Sequence, residues 1–275
     1  MQTLSKEINI NNKVKIGGTN PFFLIAGPCV IESRTHALFM AEEIQKICKR
    51  LNISFIFKAS YDKANRSSID SYRGPGLEKG LEILQEIKNE LDVPVLSDVH
   101  ETNQIEEAAE VLDIIQIPAL LCRQTDLIVK SAKTKKPLNI KKGQFLSPYE
   151  AKNIVEKIIL QGNDNIILTE RGTSFGYNNL VFDLRSIPIM KKLGFPVVID
   201  ASHSIQKPGG EGSSSGGDAE FISFIAKAGI SVGADGLFLE VHDNPNKALS
   251  DKYNSLNLLN LKDLLESLLC LKRVL

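Results

Sequence analysis

Lysine and arginine side chains stand at the ends of several separate apolar runs in this sequence. Such cations, if they converge on one place, form a site for phosphate or carboxylate, because each pairs well with an anion. An alternative is that each cation pairs with a nearby carboxylate such as Asp62, Asp98 or Glu170. The cations of the predicted anion site are Lys58, Lys63, Lys141 and Arg171.

A second group of residues combines a thiol, an imidazole and two carboxylates. Its members, Cys29, His203, Glu240 and Asp251, lie at or shortly after the ends of apolar runs. This mixture suits a borderline divalent ion such as zinc or ferrous iron, with one coordination position left for water or substrate. The spacings are long, and a lone buried cysteine is more often a small core residue. The spacing alone therefore leaves both interpretations open.

Eight short apolar runs alternate with longer segments of helical periodicity, which is typical of βα units around a parallel sheet. A length of 275 residues suits a (β/α)8 barrel, which typically takes about 250. No GxGxxG turn follows an early run, which disfavours a doubly wound open sheet. We predict an α/β fold, a single (β/α)8 TIM barrel domain over residues 1–275. The predicted strands are 22–26, 55–59, 95–98, 114–117, 138–141, 166–169, 197–200 and 236–240.

Two segments outside the repeating units have specific predicted roles. Residues 1–20 alternate apolar and polar side chains around Asn11 and Asn12, so we predict a β-hairpin that closes the N-terminal mouth of the barrel. Residues 208–217 are rich in glycine and serine and fall within one βα unit. Since active sites of such barrels lie at the C-terminal ends of the strands, we expect this segment to be a lid rather than a linker.

Composition and charge exclude several classes of protein. With 43% hydrophobic and 24% charged residues, the sequence is typical of a globular protein. Lys plus Arg and Asp plus Glu both number 33, so no overall charge favours nucleic acid or an anionic membrane. We expect a cytoplasmic protein without a membrane segment, because no signal peptide and no run of about 18 apolar residues occurs. His36, Cys48 and Cys270 fall in predicted outer helices and are assigned no role.

The segment FKASYDKANRSSIDSYRGPG (57–76) resembles the signature loop of the 3-deoxy-D-manno-octulosonate 8-phosphate synthases. AGPCVIES, SDVHE, DIIQIPALLCRQTDL, NIKKGQF, LTERGTSFGYNNLVFD, DASHS and GLFLEVHDNP also resemble segments of that family, in order, from about residue 22 to 251. The resemblance implies a (β/α)8 barrel, usually a homotetramer, that acts in lipopolysaccharide inner-core biosynthesis. It implies condensation of phosphoenolpyruvate with D-arabinose 5-phosphate and water, giving 3-deoxy-D-manno-octulosonate 8-phosphate and phosphate.

An alternative within the same group is 3-deoxy-D-arabino-heptulosonate 7-phosphate synthase, which uses erythrose 4-phosphate. Those enzymes typically carry a KPRTSP-like loop where this chain has KANRSS (63–68). The loop therefore favours arabinose 5-phosphate as the acceptor. An alternative of another class is a catalytically silent barrel that acts as a binding or scaffold protein. The sequence disfavours it, since none of the lysines or predicted metal ligands is lost.

Matching the motifs residue by residue assigns roles that the resemblance implies. The residues implied for phosphoenolpyruvate are Lys58, Ser60, Lys63, Gln116, Lys141 and Arg171. Those implied for arabinose 5-phosphate are Asn65, Arg66 and Ser67, and Arg123 is implied to reach the site of a neighbouring subunit. The catalytic candidates are Lys58, Lys63 and Lys141, with Asp98 or His100 handling protons.

The resemblance implies that the chain belongs to the metal-dependent branch of the family, because it has Cys29 where the metal-independent branch has Asn. The resemblance thus implies one divalent ion per subunit (zinc, iron(II), manganese or cobalt) held by Cys29, His203, Glu240 and Asp251. Three positions depart from the family pattern. Leu120 and Tyr61 each stand where Phe is more usual, and Asp70 replaces a frequent His.

Overall fold

Eight parallel strands close into a barrel, which confirms the predicted fold. The computed structural model describes residues 4–209 and 216–275. Each strand pairs with the next along the chain, and the eighth pairs with both the seventh and the first. The strands are β1 Phe23–Gly27, β2 Ser54–Lys58, β3 Val95–Asp98, β4 Ile114–Ile117, β5 Leu138–Lys141, β6 Ile166–Glu170, β7 Val197–Asp200 and β8 Gly236–His242.

Within the described ranges, one α-helix follows each strand and packs an apolar face on the barrel wall. α1 shows how the sequence sets these boundaries: the Ser33 hydroxyl accepts from the His36 N–H at its start, and Asn52 ends it in the left-handed region, at φ 53°. The helices are α1 Arg34–Leu51, α2 Leu77–Leu91, α3 Ile105–Val111, α4 Thr125–Lys133, α5 Ala151–Ile159, α6 Ser186–Lys191, α7 Ile222–Ser231 and α8 Leu258–Arg273. Among the helices described, none is both long and apolar enough to cross a bilayer.

A short β-hairpin precedes the barrel, as predicted. Its strands Ile8–Asn9 and Lys15–Ile16 pair antiparallel, and the Asn11 side chain accepts from the Lys13 and Val14 N–H groups within the turn. The apolar side chains of the hairpin join the core cluster formed by the inward-facing residues near the strand starts. The hairpin therefore closes the N-terminal mouth of the barrel.

The barrel interior changes from apolar to polar along the strands. Because side chains alternate across a strand, residues two apart face the same side. The inward pairs, with the residue nearer the N-terminal mouth first, are Ile56 and Lys58, Leu96 and Asp98, Ile114 and Gln116, Val198 and Asp200, and Phe238 and Glu240. The alternation thus places a layer of buried polar groups at the C-terminal end of the barrel.

The predicted lid lies mostly beyond the described residues. Residues 210–215 are not among them, while Gly216–Gly217 pairs antiparallel with Gln206–Lys207. Pro208 and Gly209 line a cavity at the C-terminal end of the barrel. That residues 208–217 cover the site stays a prediction.

Candidate active site

Two adjoining cavities open at the C-terminal end of the barrel. The larger cavity, of about 470 Å³, is lined by all four cations of the predicted anion site, namely Lys58, Lys63, Lys141 and Arg171. The smaller cavity, of about 350 Å³, shares Lys63 and Arg171 with it and extends over the loop after β8. The fold therefore brings the predicted cations together from the ends of β2 and β5, the residue after β6 and the loop after β2.

The buried lysines have carboxylate partners, although not those that the sequence suggested. Lys141 Nζ donates to Asp200 Oδ2 and lies 3.7 Å from the centre of the Phe238 ring. Lys58 Nζ donates to the Cys29 carbonyl at 3.0 Å and lies 3.7 Å from Glu240 Oε1. Both cations therefore stay in the barrel with a compensating charge while facing the larger cavity.

Burial acts to lower the pKa of both Lys141 and Lys63, but the net shifts have opposite directions. Burial lowers the pKa of Lys141, and Asp200 only partly offsets this effect. The pKa of Lys63 is raised despite its burial, because Cys29, Asp98 and Glu240 surround its ammonium group. Of the carboxylates first suggested as partners, Asp98 interacts by charge with Lys58 and Lys63. The other two are engaged elsewhere: Asp62 pairs with Arg73, and Glu170 lies 3.6 Å from Lys142.

A chain of directional hydrogen bonds crosses the barrel at the larger cavity, which two of its members, Asp98 and Gln116, line. Thr169 Oγ1 donates to Asn139 Oδ1 at 2.6 Å, and Asn139 Nδ2 donates to Gln116 Oε1 at 2.8 Å. Gln116 Nε2 donates to Asp98 Oδ1, and the Ser60 hydroxyl donates to Asp98 Oδ2 at 2.8 Å. We call these five residues the polar relay. It fixes the orientation of the Gln116 amide, because each amide atom already has a specific partner.

Asp98 and His100 differ in their readiness to carry a proton. Burial opposes the charge of Asp98, but Lys58 and Lys63 outweigh it and hold the pKa of this carboxyl below its ordinary value. Burial lowers the pKa of His100, so its imidazole is neutral near pH 7. Asp98 is therefore a hydrogen-bond acceptor, whereas His100 is able to take up a proton.

The four predicted metal ligands are brought to one place. Donor atoms of Cys29, Glu240 and Asp251 all lie within 4.8 Å of one another. Cys29 Sγ is 3.0 Å from Asp251 Oδ2, and His203 Nε2 is 3.3 Å from Glu240 Oε1 and 3.8 Å from Asp251 Oδ2. The closure of β1, β7 and β8 produces this juxtaposition, since these strands are neighbours in the barrel.

The charges of this group fit a bound cation. Glu240 is fully buried, and neither of its carboxylate oxygens has a hydrogen-bond partner within residues 4–209 and 216–275. Burial opposes its charge, yet His203 and Lys58 hold its pKa well below the ordinary value. Burial, Asp251 and Glu240 raise the pKa of the Cys29 thiol. A divalent ion would satisfy the Glu240 oxygens and favour the Cys29 thiolate.

His203 is oriented for such a role by its second nitrogen. Its Nδ1 lies 2.7 Å from Asp200 Oδ2, and its backbone N–H donates to Asp200 Oδ1. This contact leaves Nε2 directed at Glu240. A carboxylate behind a histidine is typical of metal centres, where it fixes the ring and its tautomer.

The residues implied for the sugar phosphate lie around the smaller cavity. Asn65, Arg66 and Ser67 line it, and Arg66 donates to the carbonyls of Tyr72 and Leu249. Gln116 lines the larger cavity, whereas two implied residues, Ser60 and Arg123, line neither cavity. Ser60 is buried below them in the polar relay, and Arg123 is exposed. The role of each as a substrate ligand stays a prediction.

Comparison with known proteins places this site in a family. The model of the DAHP synthetase I family matches residues 5–273. The chain belongs to this family. It is 58% identical to the 2-dehydro-3-deoxyphosphooctonate aldolase of Geotalea uraniireducens over 263 residues, which cover 96% of each chain. It is 55% identical to the aldolase of that name from Geobacter sulfurreducens, over 96% of this chain and 97% of the relative. The predicted resemblance is thus confirmed over almost the whole chain.

Some residues of this DAHP synthetase I family site were not given a role from the sequence. Gln206 accepts from Arg171 Nη2 at 2.9 Å and donates to Asp251 Oδ1 at 3.2 Å, so it links the predicted anion site to the predicted metal ligands. Asp200 contacts both Lys141 and His203. The position of Asp200 at a strand end was a usable signal, whereas nothing in the spacing of Gln206 indicated its contacts.

Proposed function

We propose that this enzyme condenses phosphoenolpyruvate with D-arabinose 5-phosphate and water, giving 3-deoxy-D-manno-octulosonate 8-phosphate and phosphate. 2-Dehydro-3-deoxyphosphooctonate aldolase, the name its relatives carry, is another name for this synthase. The observation that carries the proposal is the convergence of four cations on one cavity beside the Asn65–Arg66–Ser67 loop. Two adjoining cavities with cations between them suit two phosphorylated substrates that must meet.

The cations and the polar relay would act by position and charge. In the proposed reaction, C3 of phosphoenolpyruvate forms a bond to the aldehyde carbon of the sugar, water adds at C2, and phosphate leaves by cleavage of its bond to C2. Lys58, Lys63, Lys141 and Arg171 offset the repulsion between the two anions and stabilise the developing oxyanion. Holding two reactants in position contributes up to about 7–11 kcal/mol in well-oriented systems.

Proton handling is assigned to His100. Because the pKa of Asp98 is lowered, this residue accepts from Ser60 and Gln116 and keeps Gln116 facing the substrate. His100 lines the larger cavity, and its imidazole is neutral near pH 7. The neutral ring is therefore able to accept a proton from the attacking water.

We infer that Cys29, His203, Glu240 and Asp251 hold one divalent ion: zinc, iron(II), manganese or cobalt. Two observations support this assignment: the Glu240 oxygens accept no hydrogen bond within the described residues, and Asp200 contacts His203 from behind. When bound, the ion supplies a Lewis acid that polarises an oxygen and orients water or the aldehyde. Asp200 keeps His203 Nε2 facing the other ligands, and Gln206 does the same for Asp251.

The assembly and pathway of the enzyme are also proposals. Its exposed Arg123 suits a contact with a neighbouring subunit, and we propose a homotetramer in the cytoplasm that serves lipopolysaccharide inner-core biosynthesis. The erythrose 4-phosphate alternative has less support, because the relatives compared carry the octonate name and the loop reads KANRSS. The alternative of a catalytically silent scaffold has less support, because the larger cavity retains all four predicted cations.

The deciding experiment measures phosphate release from phosphoenolpyruvate with arabinose 5-phosphate or erythrose 4-phosphate, each with and without a chelator. We expect release only with arabinose 5-phosphate, its loss with chelator, and its return with divalent metal. Preference for erythrose 4-phosphate would move the chain to the alternative function. No release with either acceptor, together with no phosphoenolpyruvate binding in calorimetry, would support the scaffold.

A Cys29→Asn variant separates metal binding from the chemistry. We expect it to bind less metal than the unaltered enzyme. Activity that persists in this variant without metal would show that the ion positions groups rather than taking part in bond making. Chelator-resistant activity of the unaltered enzyme would make Cys29 a bystander.

A further inference from the structure

A second cluster of metal-binding side chains lies between the start of α1 and the end of β8. It consists of Glu32, His36 and His242, and one donor atom of each lies within 4.8 Å of the other two. None of the three belongs to the centre formed around Cys29. We propose that Glu32, His36 and His242 bind a second divalent cation.

The separation of two of the donor atoms matches a metal centre. His242 Nε2 lies 3.3 Å from Glu32 Oε1. Zinc binds imidazole nitrogen and carboxylate oxygen at about 2.0–2.2 Å, and in a tetrahedron this places neighbouring ligand atoms about 3.3–3.5 Å apart. The pair is thus already separated by the edge of such a tetrahedron. The His36 ring would provide the third ligand, since the donor atoms of all three residues lie within 4.8 Å of one another.

The outer nitrogens of both histidines face one carboxylate. Asp243 Oδ1 lies 3.0 Å from His36 Nε2 and 3.0 Å from His242 Nδ1. The nitrogens left for an ion are therefore His36 Nδ1 and His242 Nε2. A carboxylate behind a ligating histidine fixes the tautomer and orientation of the ring.

His36 provides an independent indication of a missing partner. Its Nδ1 is buried and has no hydrogen-bond partner in the described part of the chain. A buried ring nitrogen without a partner costs free energy unless it accepts from water or binds a cation. The His36 ring also packs against the His242 ring, with centroids 4.6 Å apart, so the two imidazoles are close enough to bind one ion.

Binding of an ion would change the tautomer of the His242 ring. The Asn244 N–H donates to His242 Nδ1 at 2.9 Å, which places the ring proton on Nε2, facing Glu32. On binding, the ion would take Nε2, and the proton would move to Nδ1, where Asp243 accepts it. The proton count of the ring stays the same, and the Asn244 N–H loses its acceptor.

The proposed ion would also stabilise the segment that carries Asp251. Glu32 Oε1 accepts from the Leu249 N–H at 2.8 Å, and the Leu249 carbonyl accepts from Arg66 Nη2 at 3.1 Å. Two imidazoles and one carboxylate favour zinc, cobalt or nickel over magnesium or calcium, which prefer oxygen ligands. This second site therefore differs from the first in having no thiolate.

Cobalt distinguishes the two sites, because only a thiolate ligand gives an intense sulfur-to-cobalt absorption band. The metal-stripped full chain would be titrated with Co²⁺, while bound metal is counted by mass spectrometry and the band is recorded. We expect two bound ions, of which only one accompanies the band. A single bound ion that gives the full band would overturn the second site. A single ion without the band would support the second site and count against the Cys29 centre.

His36→Ala should lose the band-free ion and keep the band. Glu42→Gln is the matched control, because Glu42 lies on the same helix and pairs only with Lys46 among the described residues. It should bind both ions. Equal metal content in His36→Ala and the unaltered chain would contradict the proposal.

Asp243→Asn is a milder change. It should weaken binding of the band-free ion about 10–100-fold, as loss of a supporting carboxylate does. Unchanged affinity in this variant would also contradict it.

Discussion

The two ends of the barrel interior are built from the same strands but from opposite kinds of residue. At the N-terminal end, Ile56 and Phe238 pack with Ile8 and Ile16 of the hairpin in an apolar cluster. Two positions further along the same strands, Lys58 and Glu240 are buried as a charged pair 3.7 Å apart. A step of two residues along the same strand thus leads from the apolar core to the charged site.

Stability and activity are expected to depend on opposite ends of the barrel interior. Burying apolar side chains stabilises the fold, whereas buried ion pairs are often no more stabilising than apolar residues of similar size. The N-terminal end should therefore carry most of the stability of the interior. The charges at the C-terminal end, which we propose act on substrates and an ion, are expected to contribute more to activity than to stability. Changes at each end test this division.

The largest effect on activity should follow from Lys141→Met. This variant removes a cation that faces the larger cavity, and loss of one such electrostatic contact typically lowers kcat by about 10²–10³-fold. The unfolding free energy should change less than the activation barrier, because Asp200 keeps its contact with His203 and a costly buried charge is removed. Steady-state kinetics and urea unfolding measure both quantities. A large loss of stability with nearly normal kcat would reverse the division.

The converse change is Ile16→Ala in the hairpin. Ile16 is fully buried in the apolar cluster, and truncation of a buried isoleucine costs about 2–5 kcal/mol. We expect about 3 kcal/mol less stability in urea unfolding and an unchanged kcat. Lys15→Ala is the matched control on the same strand, since Lys15 is exposed, and it should change stability by less than about 0.5 kcal/mol. A loss of kcat in folded Ile16→Ala would show that the hairpin affects the site.

The contrast between the apolar and the polar end of the barrel explains which features could be predicted from the sequence. Buried runs such as 95–98 and 114–117 were located correctly, because their length and composition reflect burial on both faces. The hairpin was predicted correctly from its Asn-rich turn. Strand ends at β1, β2, β6 and β8 differ by one or two residues, since ladder pairing with neighbours sets them rather than local composition.

The partners of the site residues could not be predicted in the same way. Lys141 and Asp200 are 59 positions apart, and His36 and Asp243 are 207 apart. Such contacts depend on barrel closure and on which side chains share a face at a given height. For this reason the strand-end positions indicated a site, while the choice of Asp200 over Glu170 and the cluster at His36 needed the structure.

Thr169→Val tests whether the polar relay contributes to substrate binding or only to the stability of the barrel. It removes the hydroxyl that donates to Asn139 Oδ1 and leaves that buried acceptor without a donor, which costs about 1–3 kcal/mol. Because Asn139 orients Gln116, we also expect a higher KM for phosphoenolpyruvate and a smaller change in kcat. Thr19→Val at an exposed position is the control. A loss of stability with an unchanged KM would mean that the relay only holds the barrel together.

The smallest effect should come from Tyr61→Phe, at a fully buried position. The Tyr61 hydroxyl donates to Gln104 Oε1, which also accepts from the His100 N–H at 2.9 Å. Because Gln104 keeps its backbone donors, loss of this bond should cost only about 1 kcal/mol of stability.

The more informative measurement on Tyr61→Phe is the pH dependence of kcat. Burial lowers the pKa of His100 from its ordinary 6.5, so the acidic limb of the profile should lie below pH 6.5. A loosened His100 loop admits water, raises this pKa and moves the limb to higher pH. A limb that stays in place while stability falls would assign Tyr61 to the packed part of the barrel rather than to the site.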